Sequence, residues 1–129
     1  MKHLLFYLIC GFTVTAYSQV KEPVYSIAKE IHDKEWYETQ FELWKKEATE
    51  GSKTPDAWYN YYAANRALLN LTEGEEHKKY HENGKVITDA VLKMHPNSFE
   101  ANYVAKWNSG LSGDNSKYLW KAYEINPDD

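Results

Sequence analysis

Thr54-Pro55-Asp56-Ala57-Trp58-Tyr59-Asn60 decides how this chain folds. A threonine hydroxyl can accept from a free N–H of a helix's first turn, and proline's fixed φ suits the first helical position. A carboxylate next in line meets the positive helix end. From this start Trp58, Tyr61, Tyr62, Asn65, Leu68 and Leu69 mark one broad inward face at helical spacing. Thr72-Glu73-Gly74-Glu75 reads as a capping box that opens a second helix. Along it Tyr80, Gly84, Ile87, Val91 and Met94 follow at 4, 3, 4, 3 spacing, an inward stripe.

Pro96 forbids continuation, and Asn97 with Glu100 is positioned to cap a third helix carrying Phe99, Tyr103 and Trp107. Gly110-Leu111-Ser112-Gly113-Asp114 breaks it, and a last helix with Tyr118, Leu119, Ala122 and Ile125 inward stops at Pro127. A chain that repeats a helical hairpin stacks its hairpins, because one alone cannot bury its apolar face.

Upstream, Asp33 is placed to cap a helix with Tyr37, Phe41, Trp44 and Ala48 inward, and Gly51 to end it in a left-handed conformation. Lys21 to His32 carries Val24, Ile27, Ala28 and Ile31 at helical spacing, which predicts one further helix. No stretch alternates with period two, so the expected class is all-α.

The residues resemble the tetratricopeptide repeat family. Ala57-Trp58-Tyr59-Asn60 is similar to the opening of that repeat's first helix. Tyr118-Leu119-Trp120-Lys121-Ala122-Tyr123-Glu124-Ile125-Asn126-Pro127 is similar to the end of its second helix, with Ala122 and Pro127 in the family's alanine and proline places. Pro96 and Ala101 repeat the junction, and the resemblance covers about Asp33 to Pro127. It departs from the family in length: Ala57 to Ala101 spans 44 residues and Pro96 to Pro127 spans 31, against 34 per repeat. Tyr62 stands where a small residue is expected, with Gly84 where the facing small residue belongs, so Gly84 would make room for the Tyr62 ring. The implied fold is a degenerate α-solenoid of about two to three repeats. A different array of helical hairpins is the alternative.

In that family the first helix of each repeat lines a concave groove. Mapped through the resemblance, the groove positions are Tyr59, Ala63 and Arg66, then Glu100, Tyr103 and Trp107. Tyr, Trp and Arg are common partner anchors. For Trp44, Trp58, Phe41 and Tyr80, which fall on inward stripes, the core is the better reading. Arg66 is the only arginine among fifteen cationic residues. Two roles fit it: a planar donor for a partner's carboxylate, or a local ion pair with Glu73 or with an acid on the facing helix. The lysine–asparagine clamp by which some members hold a C-terminal carboxylate is absent.

Composition and motifs exclude much else. Aromatic residues make up 16% of the chain, mostly Tyr and Trp, and the formal net charge is −4. A nucleic-acid partner therefore has no electrostatic footprint. His77 and His81 share a helix face at a spacing able to grip a metal, but two ligands do not make a site, and a solvated face explains them as well. Glu30, Asp33, Glu35 and Glu38 are acids where helices start, a routine placement. Asn70-Leu71-Thr72 is a glycosylation sequon on paper, for which the capping role of Thr72 is the alternative. The sequence holds no nucleophile–base set and no phosphate loop. Neither catalysis nor a cofactor is expected.

Residues 1–18 read as an export signal: Met1-Lys2-His3, an apolar run from Leu4 to Val14, then Ala16-Tyr17-Ser18 for cleavage before Gln19. The rival, a lipidated Cys10, has Ile9 where a lipobox needs a small residue. Cleavage would leave a mature chain, residues 19–129, without cysteine and without a membrane span, in the periplasm or outside the cell. Asp129 follows the proline that opens another repeat in the family, with no polar capping helix. From this we expect a fragment of a longer protein, or a last helix covered by a partner or by self-association. Two functions fit these readings. One is an exported scaffold that binds a protein or peptide in the groove, and the other is a helical appendage of a larger exported enzyme or envelope assembly.

Overall fold

A computed structural model describes residues 20–24, 31–109 and 116–125. The export signal, the Gly110–Asp114 break and most of the expected first helix lie outside them. Among the described residues there are five helices and no strand, packed against one another in chain order: α1 Lys34–Thr49, α2 Pro55–Leu71, α3 Gly74–Met94, α4 Phe99–Ser109 and α5 Ser116–Ile125. Each packs on the next, and α2 also meets α4. None is long and apolar enough to cross a membrane.

Local chemistry fixes the starts of α1 and α2 as the sequence implies. Asp33 Oδ1 accepts from the Trp36 N–H at 2.9 Å, and Thr54 Oγ1 accepts from the Ala57 N–H at 3.2 Å with Pro55 opening α2. Three ends differ from expectation. The Thr72 hydroxyl donates back to the Leu68 carbonyl at 2.7 Å instead of accepting from α3, so no capping box forms. His77 Nδ1 donates to the Leu69 carbonyl at 2.8 Å, satisfying an acceptor that the end of α2 leaves without a partner. At α4 the cap is Ser98, whose Oγ accepts from the Ala101 N–H at 3.1 Å, and not Asn97.

The third difference lies after α1, where the left-handed residue is Lys53 (φ 57°) and not Gly51. Gly51 is there for space: a Cβ on it would lie 3.1 Å from the Glu47 Cα and collide with the Glu47 side chain.

The core is built from the expected stripes. Trp58, Tyr61, Tyr62, Leu68, Leu69, Tyr80, Ile87, Val91, Phe41 and Ala48 are buried, joined by Ala101 and Val104 of α4 and by Ala122 of α5. Tyr37 and Trp44 pack against it half-buried, whereas Met94 and Ile125 point outward at 46% and 41% exposure. Phe41 makes edge contacts with Tyr61 and Tyr80, tying α1 to both α2 and α3.

Four amide side chains, Gln40, Asn60, Asn65 and Asn102, are no more than 2% exposed. Burial without a partner is costly for an amide, and each of these is bonded. Asn65 Nδ2 donates to the Tyr80 carbonyl at 2.9 Å while its Oδ1 accepts from Asn83 at 3.0 Å. Asn102 Nδ2 donates to the carbonyls of Pro96 and Ser98.

Gln40 and Asn60 hold the upstream chain, and here the two described ends of the helix expected from Lys21 to His32 differ from expectation, its middle lying outside the described residues. Val20–Val24 and Ile31–Asp33 are not helical. Gln40 Nε2 donates to the Val20 carbonyl at 3.0 Å, its Oε1 accepts from the Glu22 N–H at 2.8 Å, and Asn60 Oδ1 accepts from the Val24 N–H at 2.8 Å. Trp44 Nε1 donates to the Glu22 carbonyl at 2.9 Å. Lys21 pairs with Glu47 at 3.1 Å, and that ammonium, with the Ser52 hydroxyl, holds the Glu47 carboxyl below the usual carboxylate range. Tertiary bonds thus hold residues 20–24 outside a helix.

Candidate functional site

The six expected groove residues lie on the two helices that meet across one seam, α2 and α4. Tyr59 projects from α2 and is 8% exposed, so it belongs to the core as much as to the seam. Its ring stacks on Tyr103 at 6.0 Å and meets Trp107 at 5.7 Å. Tyr103 and Trp107 lie one helical turn apart on α4 and touch edge to face at 4.8 Å, both half-buried. Offset and edge contacts of this kind are the favoured aromatic geometries and make the cluster rigid. Ala63 and Glu100 are half-buried on the same two helices. Neither is part of the ring cluster.

Arg66 takes neither of the ion pairs considered for it with Glu73 or with a facing acid. Its guanidinium lies over the Trp107 ring, 5.5 Å from the centroid, and Nη1 donates to the Trp107 carbonyl at 3.4 Å. Burial pushes the Tyr62 phenol up in pKa, and the neighbouring Arg66 cation pulls it partly back. The arginine is half-buried, so its planar cation forms one border of the seam.

Three residues join the site that pattern reading did not place there. Tyr62 stacks on Trp107 at 6.0 Å, and Phe99 stacks on Tyr103 at 5.2 Å. The Lys106 ammonium lies 4.8 Å from the Tyr103 centroid. The spacing Phe99, Tyr103, Lys106, Trp107 is one helical face and would have shown the last of these. The result is a platform of rings bordered by two cations.

Other candidate chemistry resolves into structure. His77 is a helix-end donor, and among the described residues no group of three or more His, Cys, Asp or Glu converges as metal ligands would. Glu35, Glu38, Thr39, Glu42 and Leu43 line a shallow depression of about 310 Å³, but all five belong to α1, so it is a dimple on one helix. Comparison with known proteins finds no matching family model, no matching curated protein and no matching solved structure.

Proposed function

We propose that the protein is an exported, non-catalytic interaction scaffold, a degenerate tetratricopeptide-like array that holds a segment of a partner protein on the α2–α4 seam. The observation that carries this reading is the half-buried pair Tyr103–Trp107 with Arg66 over the indole and Lys106 over the phenol. Aromatic rings already fixed by one another lose little freedom when a partner lands on them, and arginine and aromatic residues anchor partners more than other types do. Two cations beside the rings suit a segment that carries a carboxylate. The order of packing supports the array: α2 meets α3 and α4, α3 meets α4, and α4 meets α5, the neighbour pattern of stacked hairpins. Export rests on the composition of residues 1–18.

A photo-crosslinking residue placed at Glu100 tests the reading in cells. The expected result is a discrete protein adduct that disappears with Trp107→Ala while helical circular dichroism at the growth temperature shows the variant still folded, although the loss of a ring packed on Tyr59, Tyr62 and Tyr103 lowers its melting temperature. Absence of any adduct, or one indifferent to Trp107→Ala, overturns the seam as a binding surface.

A further inference from the structure

Where α1 meets α2, away from the α2–α4 seam, side chains of both helices hold the backbone of residues 20–24. The polar groups held there are the Val20 carbonyl, the Glu22 N–H and carbonyl, and the Val24 N–H. These are the groups that alternate residues of an extended chain present along one edge, where a neighbouring strand would pair with them. Here no strand does so. Among the described residues the partners are side chains of two helices: the Gln40 amide bridges residues 20 and 22, the Trp44 indole takes the Glu22 carbonyl, and the Asn60 amide takes the Val24 N–H.

Main-chain pairing of this kind reads conformation and leaves sequence to be read by the side chains alongside. Those contacts are also present. Glu47 meets the Lys21 ammonium at 3.1 Å, Trp36 Nε1 donates to the Glu22 carboxylate at 2.9 Å, and Val24 packs on the core.

We propose that this seat is a receptor for an extended peptide carrying a cation, an anion at the next residue and an aliphatic residue two further on, and that residues 20–24 are its built-in, displaceable occupant. Gln40 and Asn60 are each 1% exposed, so neither amide can stand empty without a desolvation penalty. An incoming extended segment replaces the resident one bond for bond, which makes the exchange close to balanced. The resident segment lies at the surface, with Val20, Lys21, Glu22 and Pro23 all exposed, so none of the described residues covers it against a competitor.

The test uses the full chain with Glu22→Pro and Val24→Pro together. This removes both main-chain donors of the segment, keeps it extended, and leaves every residue of the seat in place. The probe is a fluorescent synthetic peptide copying residues 19–33, with binding read by anisotropy and folding by helical circular dichroism. We expect the double-proline variant to bind the peptide at least tenfold more tightly than the unaltered chain. Adding Gln40→Met, which keeps the volume and removes the amide, should abolish that gain. Equal binding by the two chains, or a folded double-proline variant that ignores the peptide, overturns the proposal. So does a double-proline variant that fails to fold, because the segment is then an integral part of the domain and not an occupant.

Discussion

His95 Nε2 donates to the carbonyl of Lys53 at 2.7 Å, so the residue that follows α3 is fastened to the turn between α1 and α2. The carbonyl is presented by a lysine in the left-handed region, with φ at 57°. That conformation costs a side-chain-bearing residue about 1–2 kcal/mol, whereas glycine adopts it freely. Because glycine also adds freedom to the unfolded chain, Lys53→Gly is expected to raise stability by about 0.5–1 kcal/mol net. Urea unfolding checks it, and a lowered midpoint would show that the Lys53 side chain contributes something its exposure conceals.

Gly84 faces α4 and α2 across a narrow gap. A Cβ there would stand 3.0 Å from Asn108 Oδ1, 3.5 Å from Asn65 Nδ2 and 3.8 Å from the Tyr62 ring. Asn108 is half-buried and can yield a few tenths of an ångström, so Gly84→Ala should fall within about 1 kcal/mol of neutral, its helix propensity offsetting the crowding. Gly84→Leu reaches Asn65 and Tyr62, which cannot yield, and should cost about 1–3 kcal/mol. Thermal melting of the pair decides: a leucine variant as stable as the alanine one would mean the gap is wider than described.

Asn65 is the centre of a buried amide pair. Asn65→Leu removes one bond each from the Tyr80 carbonyl and the Asn83 amide and sets an apolar side chain against both, at a cost of about 1–3 kcal/mol. Asn83→Leu alone should cost less, because Asn65 keeps its bond to Tyr80. The double mutant should fall short of the sum by about 0.5 kcal/mol or more, since the two changes remove one shared bond. Strict additivity in a double-mutant cycle would show the amides to be independent.

Burial raises the phenol pKa of Tyr61, Tyr62 and Tyr80. The Asn83 amide opposes the shift at Tyr61, Arg66 opposes it at Tyr62, and Glu76 and Glu38 add to it at Tyr80. A phenol that holds its proton more tightly when folded stabilises the fold fully below its unfolded pKa of about 10. That contribution is lost as pH rises from there through the higher folded value. Stability should therefore be flat in this respect up to about pH 10 and fall above it, with late-titrating tyrosines visible by ultraviolet absorbance. Tyr61→Phe should flatten part of the alkaline decline. If all tyrosines ionise together near pH 10 in the folded chain, the burial argument fails.

Most helix positions were legible because their causes are local. Asp33 and Thr54 cap from three residues away, and the stripes of α2 and α3 need only a helical period. What escaped was decided by residues distant in sequence or by two local options of similar energy. Gln40 and Asn60 are polar and carry no apolar-stripe signal, yet each is buried against a segment 18 to 36 residues away. Thr72 and Glu75 fit a capping box on paper, yet the same hydroxyl can serve the helix it ends, and it does. Gly51 drew the left-handed turn because glycine favours it, while its real constraint was the passage of Glu47. At the seam, the resemblance brought Tyr59, Tyr103, Trp107 and Arg66 together. It could not show that Arg66 would lie on the indole.

The bond from Asn65 to Tyr80 also fixes how α2 and α3 slide past each other. Two helices joined only by apolar side chains can slip by one turn, about 5.4 Å, and still bury similar area. Here a one-turn slip would carry the buried Asn65 amide away from the Tyr80 carbonyl and from the Asn83 amide that it bonds in this register. The side chain acts as an index pin: it selects a single lengthwise register for the hairpin.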